Sequence, residues 1–229
     1  MADVVKVDES TWRLEDGFVR FFLLVGEEKA ALIDSGANCP EAKKLAETLT
    51  DKPILLINTH GDGDHVSGTG DFAEIHMHPS DYENCGVGVR FPQTALVAIG
   101  DGDEIELGDR LLKIIHIPGH TSGSVAILDV KNRVLYAGDS VQKGHIFMFG
   151  NKREPDRYEE SLEKLIGLKD EYDVIYASHD EFRLPGDYAP KVKESWQKVR
   201  NGEASFETAD LFGNKVKSYD LEYCGFYLE

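Results

Sequence analysis

The sequence predicts an α/β fold in which β-sheets pack against each other and helices cover the outside. Short apolar runs of strand length recur along the whole chain, and three segments place apolar residues at helical spacing. The sequence contains no long repeat, low-complexity tract or linker that would divide it. Its 229 residues are therefore expected to form a single domain, residues 1–229, with a substantial hydrophobic core.

Apolar and β-branched runs bounded by charged or glycine-containing turns are typical of strands. Such runs predict strands at residues 4–7, 17–25, 30–34, 54–57, 75–78, 104–107, 111–117, 125–130, 133–137, 174–177 and 219–228. Two hairpins are expected among them, one turning at Gly108-Asp109 and the other at Lys131-Asn132.

Three segments are predicted as helices, at residues 40–49, 158–168 and 189–200. Pro40 suits the first turn of the first of these helices. Residues 80–100, which contain Cys85-Gly86-Val87-Gly88, are interpreted as loop and helix pieces and not as a phosphate-binding motif.

Acidic residues dominate the charge of the chain. The 42 Asp and Glu side chains against 25 Lys and Arg side chains give a formal net charge of −17 at pH 7. Nucleic-acid backbones and anionic membranes are bound by basic patches. The composition therefore disfavours nucleic acid and membrane as partners, and a small-molecule substrate is expected.

The three cysteines, Cys39, Cys85 and Cys224, are few, odd in number and widely spaced. They indicate neither a disulfide framework nor a cysteine zinc site, and they are interpreted as buried thiols. The first residues lack the pattern of a signal peptide, and no apolar run reaches membrane-spanning length. These features together predict a cytoplasmic protein.

The stretch Thr59-His60-Gly61-Asp62-Gly63-Asp64-His65 concentrates four metal-type ligands directly after an apolar strand. A solvated turn is the alternative, but a turn requires one Asp-Gly pair and not two flanked by histidines. Without a cation, carboxylates this close would repel each other. Imidazole and carboxylate together suit zinc, manganese or iron better than calcium or magnesium. The glycines are expected to let backbone and metal approach closely.

Three further ligand-type side chains, His120, Asp139 and His179, each follow a predicted strand of their own. Taken singly, Asp139 is better explained as a helix N-cap and the two histidines as ordinary loop residues. Strands that end at one edge of a sheet bring their final side chains to a common point on a rigid scaffold. We therefore expect all three to join the ligand-rich stretch in one metal site.

With these residues, the chain resembles the metallo-β-lactamase superfamily. The family signature His-x-His-x-Asp-His is matched by residues 60–65, with Asp62 in place of the second histidine. Four other family motifs are matched by Asp34-Ser35-Gly36, Pro118-Gly119-His120-Thr121, Gly138-Asp139 and Ser178-His179. The resemblance extends over residues 15–185. It implies a four-layer αβ/βα sandwich, with two sheets inside and helices on both outer faces.

The resemblance implies a site for two divalent metal ions. One ion would be held by His60, Asp62 and His120, the second by Asp64, His65 and His179, and Asp139 would bridge them. Two such ions lower the pKa of a shared water and polarise the bond to be cleaved. Asp64 would orient the attacking water and Asp139 would fix the separation of the ions, so both are predicted to be catalytic.

Asp62 is the departure from the family pattern. Most hydrolytic members have His at this position, whereas the diiron flavoprotein branch has Glu. Three carboxylates against two dications leave one net positive charge, and a neutral His at position 62 would leave the core more positive. The additional oxygen ligand and the lower charge are expected to shift the metal preference from zinc toward iron or manganese.

Two functions are compatible with the resemblance. The first is hydrolysis of a small ester, thioester, lactone or phosphoester, as in the glyoxalase II-like and lactonase-like members of similar size. The second is a diiron centre that reacts with oxygen or nitric oxide, which Asp62 favours. Flavodiiron members usually carry a flavodoxin domain, which this chain is expected to be too short to contain. A non-catalytic metal-binding module is least favoured, because the ligand set is complete.

Substrate contacts are less well defined by the sequence. His145 and Phe147 lie in the segment 141–150, which is interpreted either as a pocket wall or as a packed loop. Arg183 would pair with an anionic group of the substrate, with a surface salt bridge as the alternative. The aromatic segment 219–228 is a candidate for contacts in a homodimer or for edge-strand packing.

Overall fold

A sheet of seven strands forms the N-terminal half of the molecule. The structure, a computed structural model, describes residues 2–86 and 90–229. The strands of this first sheet lie side by side in chain order: β1 (Asp3–Lys6), β2 (Thr11–Asp16), β3 (Val19–Val25), β4 (Ala30–Ile33), β5 (Ile54–Ile57), β6 (Glu74–Met77) and β7 (Ala95–Ala98). The pairs from β1 to β4 are antiparallel, and those from β4 to β7 are parallel.

The remaining strands form two further sheets. In chain order they are β8 (Glu104–Glu106), β9 (Leu111–His116), β10 (Val125–Asp129), β11 (Val134–Tyr136), β12 (His145–Met148), β13 (Val174–Tyr176), β14 (Arg183–Pro185), β15 (Glu207–Leu211), β16 (Asn214–Tyr219) and β17 (Gly225–Leu228). The second sheet has the spatial order β14-β13-β11-β10-β9-β8, and the third has the order β12-β17-β16-β15.

The α-helices in the described part of the chain are α1 (Ala42–Glu47), α2 (Tyr82–Cys85), α3 (Pro155–Gly167) and α4 (Tyr188–Arg200). Helix α3 begins at Pro155. The N–H groups of a first helical turn have no partner within the helix, so the absence of an N–H in proline costs no hydrogen bond there. The Tyr158 ring of α3 meets the Trp196 ring of α4 edge to face, at a centroid distance of 5.3 Å. Within the described ranges, no helix combines the length and the apolar character needed to cross a membrane.

Side chains that alternate along the strands produce the layers. In β3, Phe21 packs in the cluster that contains α1, whereas its neighbour Phe22 packs between the first two sheets. In β10, Ile127 faces that same central cluster and Leu128 packs with α3 and α4. The resulting order of helix, sheet, sheet and helix confirms the four-layer αβ/βα sandwich.

The third sheet was not predicted from the sequence. The segment 141–150 is not simply a loop, because β12 occupies its middle and pairs in parallel with β17. The segment 219–228 is not one strand, because β16 ends at Tyr219 and β17 begins at Gly225. Since β17 has a partner on each side, the edge-strand prediction for this segment is wrong. Contacts in a homodimer stay a prediction.

Other boundaries also differ from the predicted ones. The first helix is shorter than the predicted segment 40–49, and α3 starts three residues before Tyr158. The sequence did not predict β2, β7, β14, β15 or β16 before Tyr219, which are short or carry mixed polarity on their faces. Of the segment 80–100, α2 and β7 account for parts, and residues 87–89 lie outside the described residues. The three cysteines are buried, as expected.

The strand ends that carry the predicted ligands meet at one edge of the sandwich. Parallel strands β4 and β5 of the first sheet lead into Asp34 and the ligand-rich stretch. Parallel strands β11 and β13 of the second sheet lead into Asp139 and His179. A hydrogen bond of 2.8 Å from the Val125 N–H to the Thr59 carbonyl joins the two sheets at this edge.

Candidate metal centre

Two groups of histidine and aspartate side chains meet at this edge. Within each group, the ligand-type atoms all lie within 4.8 Å of one another. The first half of the centre consists of His60, Asp62 and His120, and the second half consists of Asp64, His65, Asp139 and His179. The structure thus brings together all the residues that the sequence singled out as metal ligands.

In the first half, three atoms face a common point. His120 Nε2 lies 3.2 Å from Asp62 Oδ2 and 3.2 Å from His60 Nε2. His60 Nε2 lies 3.7 Å from Asp62 Oδ2. Ligand atoms bound at about 2.1 Å and at tetrahedral angles stand about 3.4 Å apart. These separations match those required around one small divalent cation.

In the second half, Asp139 has a central position. Its Oδ1 lies 3.2 Å from His65 Nε2, and its Oδ2 lies 3.2 Å from His179 Nε2. The same Oδ2 lies 3.7 Å from His120 Nε2 of the first half. Asp64 Oδ2 lies 3.4 Å from His179 Nε2. Asp139 therefore has the position that a bridging ligand requires, with one carboxylate reaching both halves.

All four histidines of the centre are fixed through Nδ1, which leaves Nε2 facing inward. The Nδ1 partners are Thr59 Oγ1 for His60 at 3.0 Å, Asp34 Oδ2 for His65 at 2.9 Å, the Phe147 carbonyl for His120 at 2.9 Å and the Phe18 carbonyl for His179 at 2.8 Å. A proton held on Nδ1 by such a partner leaves the Nε2 lone pair available to a cation.

Asp34 supports this arrangement from behind. Its Oδ2 accepts hydrogen bonds from the Thr59 hydroxyl at 2.8 Å and from His65, and its Oδ1 accepts from the Thr59 N–H at 2.8 Å. The residue has a positive φ of 64°, a conformation that Asp tolerates better than most side chains. The Asp34-Ser35-Gly36 turn thereby orients His65 directly and His60 through Thr59.

Asp81, which the sequence analysis did not single out, connects the ligand-rich stretch to the loop that carries His120. Its carboxylate accepts hydrogen bonds from the Gly61 N–H at 2.8 Å, the Gly123 N–H at 2.8 Å and the Thr121 hydroxyl at 2.7 Å. Burial raises the pKa of this carboxyl in spite of these bonds. The two loops are thus fixed to one shared anchor.

The two glycines of the ligand-rich stretch differ in their surroundings. A Cβ atom added at Gly61 would lie 2.8 Å from the backbone nitrogen of Cys85, so a side chain has no room there. A Cβ atom at Gly63 would meet no described heavy atom within 4 Å. The surrounding protein therefore requires glycine at position 61 and leaves room at position 63, and the close approach of backbone and metal stays a prediction for both glycines.

Arg153, which contacts Asp62, was likewise not predicted from the sequence. Its guanidinium forms two hydrogen bonds to Asp62, from Nη1 to Oδ1 at 3.1 Å and from Nη2 to Oδ2 at 2.7 Å. Asn84 Nδ2 donates a third bond to Asp62 Oδ1, at 2.7 Å. Because Arg153 follows no strand and belongs to no motif, its position gave no signal in the sequence.

His60, one of the two histidines of the first half, is held neutral by its surroundings. Burial lowers the pKa of His60 to about 3, and the neighbouring His65 adds to the effect. Burial acts to raise the pKa of Asp62, but the hydrogen bond from His120 and the nearby positive charges, including Arg153, keep it well below its ordinary value. The first half thus presents a neutral His60 and an ionised Asp62.

The histidines of the second half behave in the opposite way. Burial acts to lower the pKa of His179, but Asp139 and a hydrogen bond to Asp64 raise it to about 10. The pKa of His65 is likewise raised against burial, by Asp139 and Asp34. Burial would raise the pKa of Asp139, yet His179 and His65 hold it well below its usual range.

The donor set fits a pair of divalent cations. His65 Nε2 and Asp139 Oδ1 are fully buried and have no hydrogen-bond partner within residues 2–86 and 90–229. Buried polar atoms ordinarily have a partner, and both of these atoms face the centre of the second half. Mixed imidazole and carboxylate ligation is typical of zinc, iron and manganese.

A cavity of about 600 Å³ opens onto the centre. His145 and Phe147, predicted as substrate contacts, line it, as do Asp64 and Asp139. The Asp64 side chain is 26% exposed and that of Asp139 is 9% exposed, so Asp64 is the more accessible carboxylate. Arg183 lies outside the cavity with an exposed side chain on β14, a position that gives its predicted role no support.

Comparison with known proteins identifies relatives of the chain. The sequence profile of the metallo-beta-lactamase superfamily matches residues 14–179. The acyl-coenzyme A thioesterase MBLAC2 of Bos taurus is 29% identical over 220 residues, which covers 75% of this chain and 78% of that protein. A hydroxyacylglutathione hydrolase of Nostoc punctiforme is 30% identical over 173 residues, which covers 73% of this chain and 65% of that protein.

The fold is shared with solved structures. A metallo-beta-lactamase from Pontibacter korlensis superimposes with a TM-score of 0.73, over 86% of this chain and 99% of that one. The sequence identity between the two is 14%. At this identity the similarity concerns the fold, and it agrees with the layered arrangement described above.

Proposed function

Because the chain belongs to the metallo-beta-lactamase superfamily, we propose that it is a metal-dependent hydrolase of a small thioester or ester. One observation carries the proposal. Four histidine Nε2 atoms and three carboxylates converge at the floor of a cavity, and each histidine is fixed from behind by a hydrogen bond to Nδ1. Such second-layer bonds are typical of ligands held ready for a metal ion.

The roles of the residues follow from their positions. His60, Asp62 and His120 would hold one divalent cation, Asp64, His65 and His179 would hold the second, and Asp139 would contact both. When bound, the cations supply a water of lowered pKa and polarise a carbonyl oxygen. The accessible Asp64 carboxylate would orient the attacking water and accept its proton. The buried Asp139 would keep the two halves at a fixed separation.

Arg153 changes the expectation for the metal. Asp62 adds a negative charge to the centre, and the paired guanidinium adds a positive one. With Arg153 counted, the centre has the net charge that it would have with a neutral His at position 62. The charge argument for iron or manganese over zinc is therefore offset, and so is the main support for the diiron alternative. The remaining argument for iron or manganese is that the Asp62 carboxylate supplies an oxygen ligand where a histidine would supply nitrogen.

Two relatives indicate the substrate class. One is named as an acyl-coenzyme A thioesterase and the other as a hydroxyacylglutathione hydrolase. In both named substrates the acyl group is carried on a thiol compound. A thioester is therefore the substrate class that we favour, ahead of the esters and lactones that the same chemistry would cleave.

Reconstitution tests the proposal. The chelator-treated protein is loaded with Zn²⁺, Fe²⁺ or Mn²⁺ and assayed with a thioester, a lactone and a phosphodiester, and the metal content is measured on the same samples. We expect hydrolysis of the thioester that is lost on chelation and restored by at least one cation. A protein that binds two cations and hydrolyses none of the three would contradict the proposed function.

A further inference from the structure

Aromatic rings form one side of the cavity beside the metal centre. The ring of Phe147 lies in the middle, with centroid distances of 5.0 Å to Tyr227, 5.7 Å to Phe149 and 6.5 Å to Phe212. All four rings line the cavity, and we call them the aromatic wall. Phe147 is the one predicted substrate contact among them.

The third sheet builds the aromatic wall and connects it to the centre. Phe147 on β12 stands in register with Tyr227 on β17, and Phe212 lies in the turn between β15 and β16. The carbonyl of Phe147 is also the group that fixes His120 through Nδ1. One strand therefore carries both a ring of the wall and the support of a metal-ligand histidine. Strands β15 to β17 lie beyond residue 179, where the superfamily match ends.

Phe212 occupies its turn in an unfavourable way. Its side chain is 87% exposed, and its backbone has a positive φ of 53°. Asn and Asp are enriched several-fold among non-glycine residues in this conformation, and an exposed phenyl ring gains nothing from burial. A ligand in the cavity would cover this ring and supply the missing contacts.

The charged groups next to the aromatic wall offer no free positive charge to a ligand. Arg153 is the one Lys or Arg among the described residues that line the cavity, and it is paired with Asp62. His145 stacks on Tyr227 at 4.2 Å and faces Asp220 at 3.0 Å. The remaining charged lining groups are carboxylates or ligands of the centre. The wall is thus unsuited to an anionic group and suited to an uncharged apolar one.

We infer that the aromatic wall binds the acyl group of the substrate, and that this group is apolar. The inference rests on the proposed hydrolysis of a thioester, whose substrate class it narrows. Phe212 at the end of the hairpin closes over the acyl group, and the C-terminal sheet thereby determines specificity.

Two thioesters with the same leaving group test the inference. The metal-loaded protein is assayed with S-acetyl and S-phenylacetyl N-acetylcysteamine. Burial of the phenyl ring is expected to raise kcat/KM roughly 30-fold for the phenylacetyl compound over the acetyl compound. In the Phe212→Asn variant, in which the new residue suits the positive φ, this ratio should fall roughly fivefold. Ligand-observed NMR with uncharged phenylacetamide measures the binding of the same group without catalysis.

Phe206→Asn is the matched control. Phe206 is a half-exposed aromatic residue of the same C-terminal segment that packs on Tyr219 and does not line the cavity. Its substitution should leave the ratio unchanged. Equal hydrolysis of both thioesters, or a ratio insensitive to Phe212→Asn, would overturn the inference while the proposed function stands. If neither thioester is hydrolysed, the preference for thioesters within the proposed function fails, and the NMR result decides the inference. Phenylacetamide binding that is weakened by Phe212→Asn supports the apolar site, and binding that is unaffected or absent overturns it.

Discussion

The two halves of the metal centre balance their carboxylates in different ways. In the first half, Asp62 is paired with Arg153, whose guanidinium keeps its charge throughout the pH range of a folded protein. In the second half, the carboxylates face His65 and His179, whose pKa values are raised in spite of burial. A cation entering the second half therefore displaces protons, whereas a cation entering the first half shares Asp62 with a permanent positive charge.

This difference separates the two halves functionally. Metal affinity in the second half depends on pH, since its ligands must lose protons before they bind. In the first half, His60 is already neutral, and the fixed charge of Arg153 beside Asp62 opposes the binding of a cation. Substitution of Arg153 therefore measures how much this charge contributes to the affinity of the first half.

The largest expected effect comes from Asp139→Ala, because Asp139 contacts both halves. The variant should lose both cations, and kcat/KM should fall by at least about 1000-fold, equivalent to about 4 kcal/mol in the activation barrier. Asp62→Ala should lose only the cation of the first half. Metal content per chain, measured by mass spectrometry of the purified variants, distinguishes the two results.

Asp210→Ala is the control for these variants, since Asp210 is exposed on β15, away from the centre. It should retain the full metal content and activity. If Asp62→Ala and Asp139→Ala lost the same amount of metal, the division of the centre into two halves would be wrong.

The next largest effect concerns pH. With its pKa raised to about 10, His179 holds a proton at pH 7 that a cation must displace, as does His65, whereas His60 with a pKa of about 3 does not. Each displaced proton changes affinity about tenfold per pH unit. Zn²⁺ affinity should rise by up to about 100-fold per pH unit in Asp62→Ala, which retains the second half, and should rise less steeply in His179→Ala, which retains the first half with its neutral His60. Competition with a chelator dye measures both slopes.

The same pKa has a consequence for stability that serves as an independent check. A raised pKa of His179 stabilises the chelator-treated fold fully below the ordinary value of 6.5, and this contribution is lost as the pH rises toward about 10. The thermal midpoint of the chelator-treated protein should therefore fall over this range, and the fall should be smaller in His179→Ala. Parallel profiles in the two proteins would count against a charged His179.

A smaller effect is expected from Arg153→Met. Removal of the guanidinium leaves Asp62 with its full negative charge beside the cation site, so the first half should bind Zn²⁺ roughly 30-fold more tightly or better. The metal-free variant should be less stable, because a buried carboxylate has lost its partner. Arg153→Lys, which keeps the charge without the paired hydrogen bonds, should stay close to wild type in affinity. Weaker binding in both variants would show that Arg153 acts by orienting Asp62 and not through its charge.

Arg153 also shows where sequence-based inference stops. The ligands of the centre were predictable because each follows an apolar strand or lies in a short motif, and sheet geometry then gathers the strand ends. Arg153 meets Asp62 across 91 positions of the sequence, from a segment without a motif. The same applies to the third sheet, in which β12 pairs with a strand about 80 positions further along the chain. Non-local pairings of this kind leave no periodic pattern in either partner.

The smallest expected effect, and the one that best separates charge from orientation, is that of Asn84→Ala. The Asn84 amide donates to the same carboxylate as Arg153, at 2.7 Å, but carries no charge. Its removal leaves Arg153 as the sole described side chain that orients the Asp62 carboxylate from behind and does not change the electrostatic balance, so Zn²⁺ binding in the first half should weaken about tenfold, at the low end for such partners. Arg153→Met and Asn84→Ala should thus change the affinity in opposite directions, measured by the same chelator competition. If both variants tighten binding, the two residues merely compete with the cation for the carboxylate, and the charge of Arg153 has no separate role.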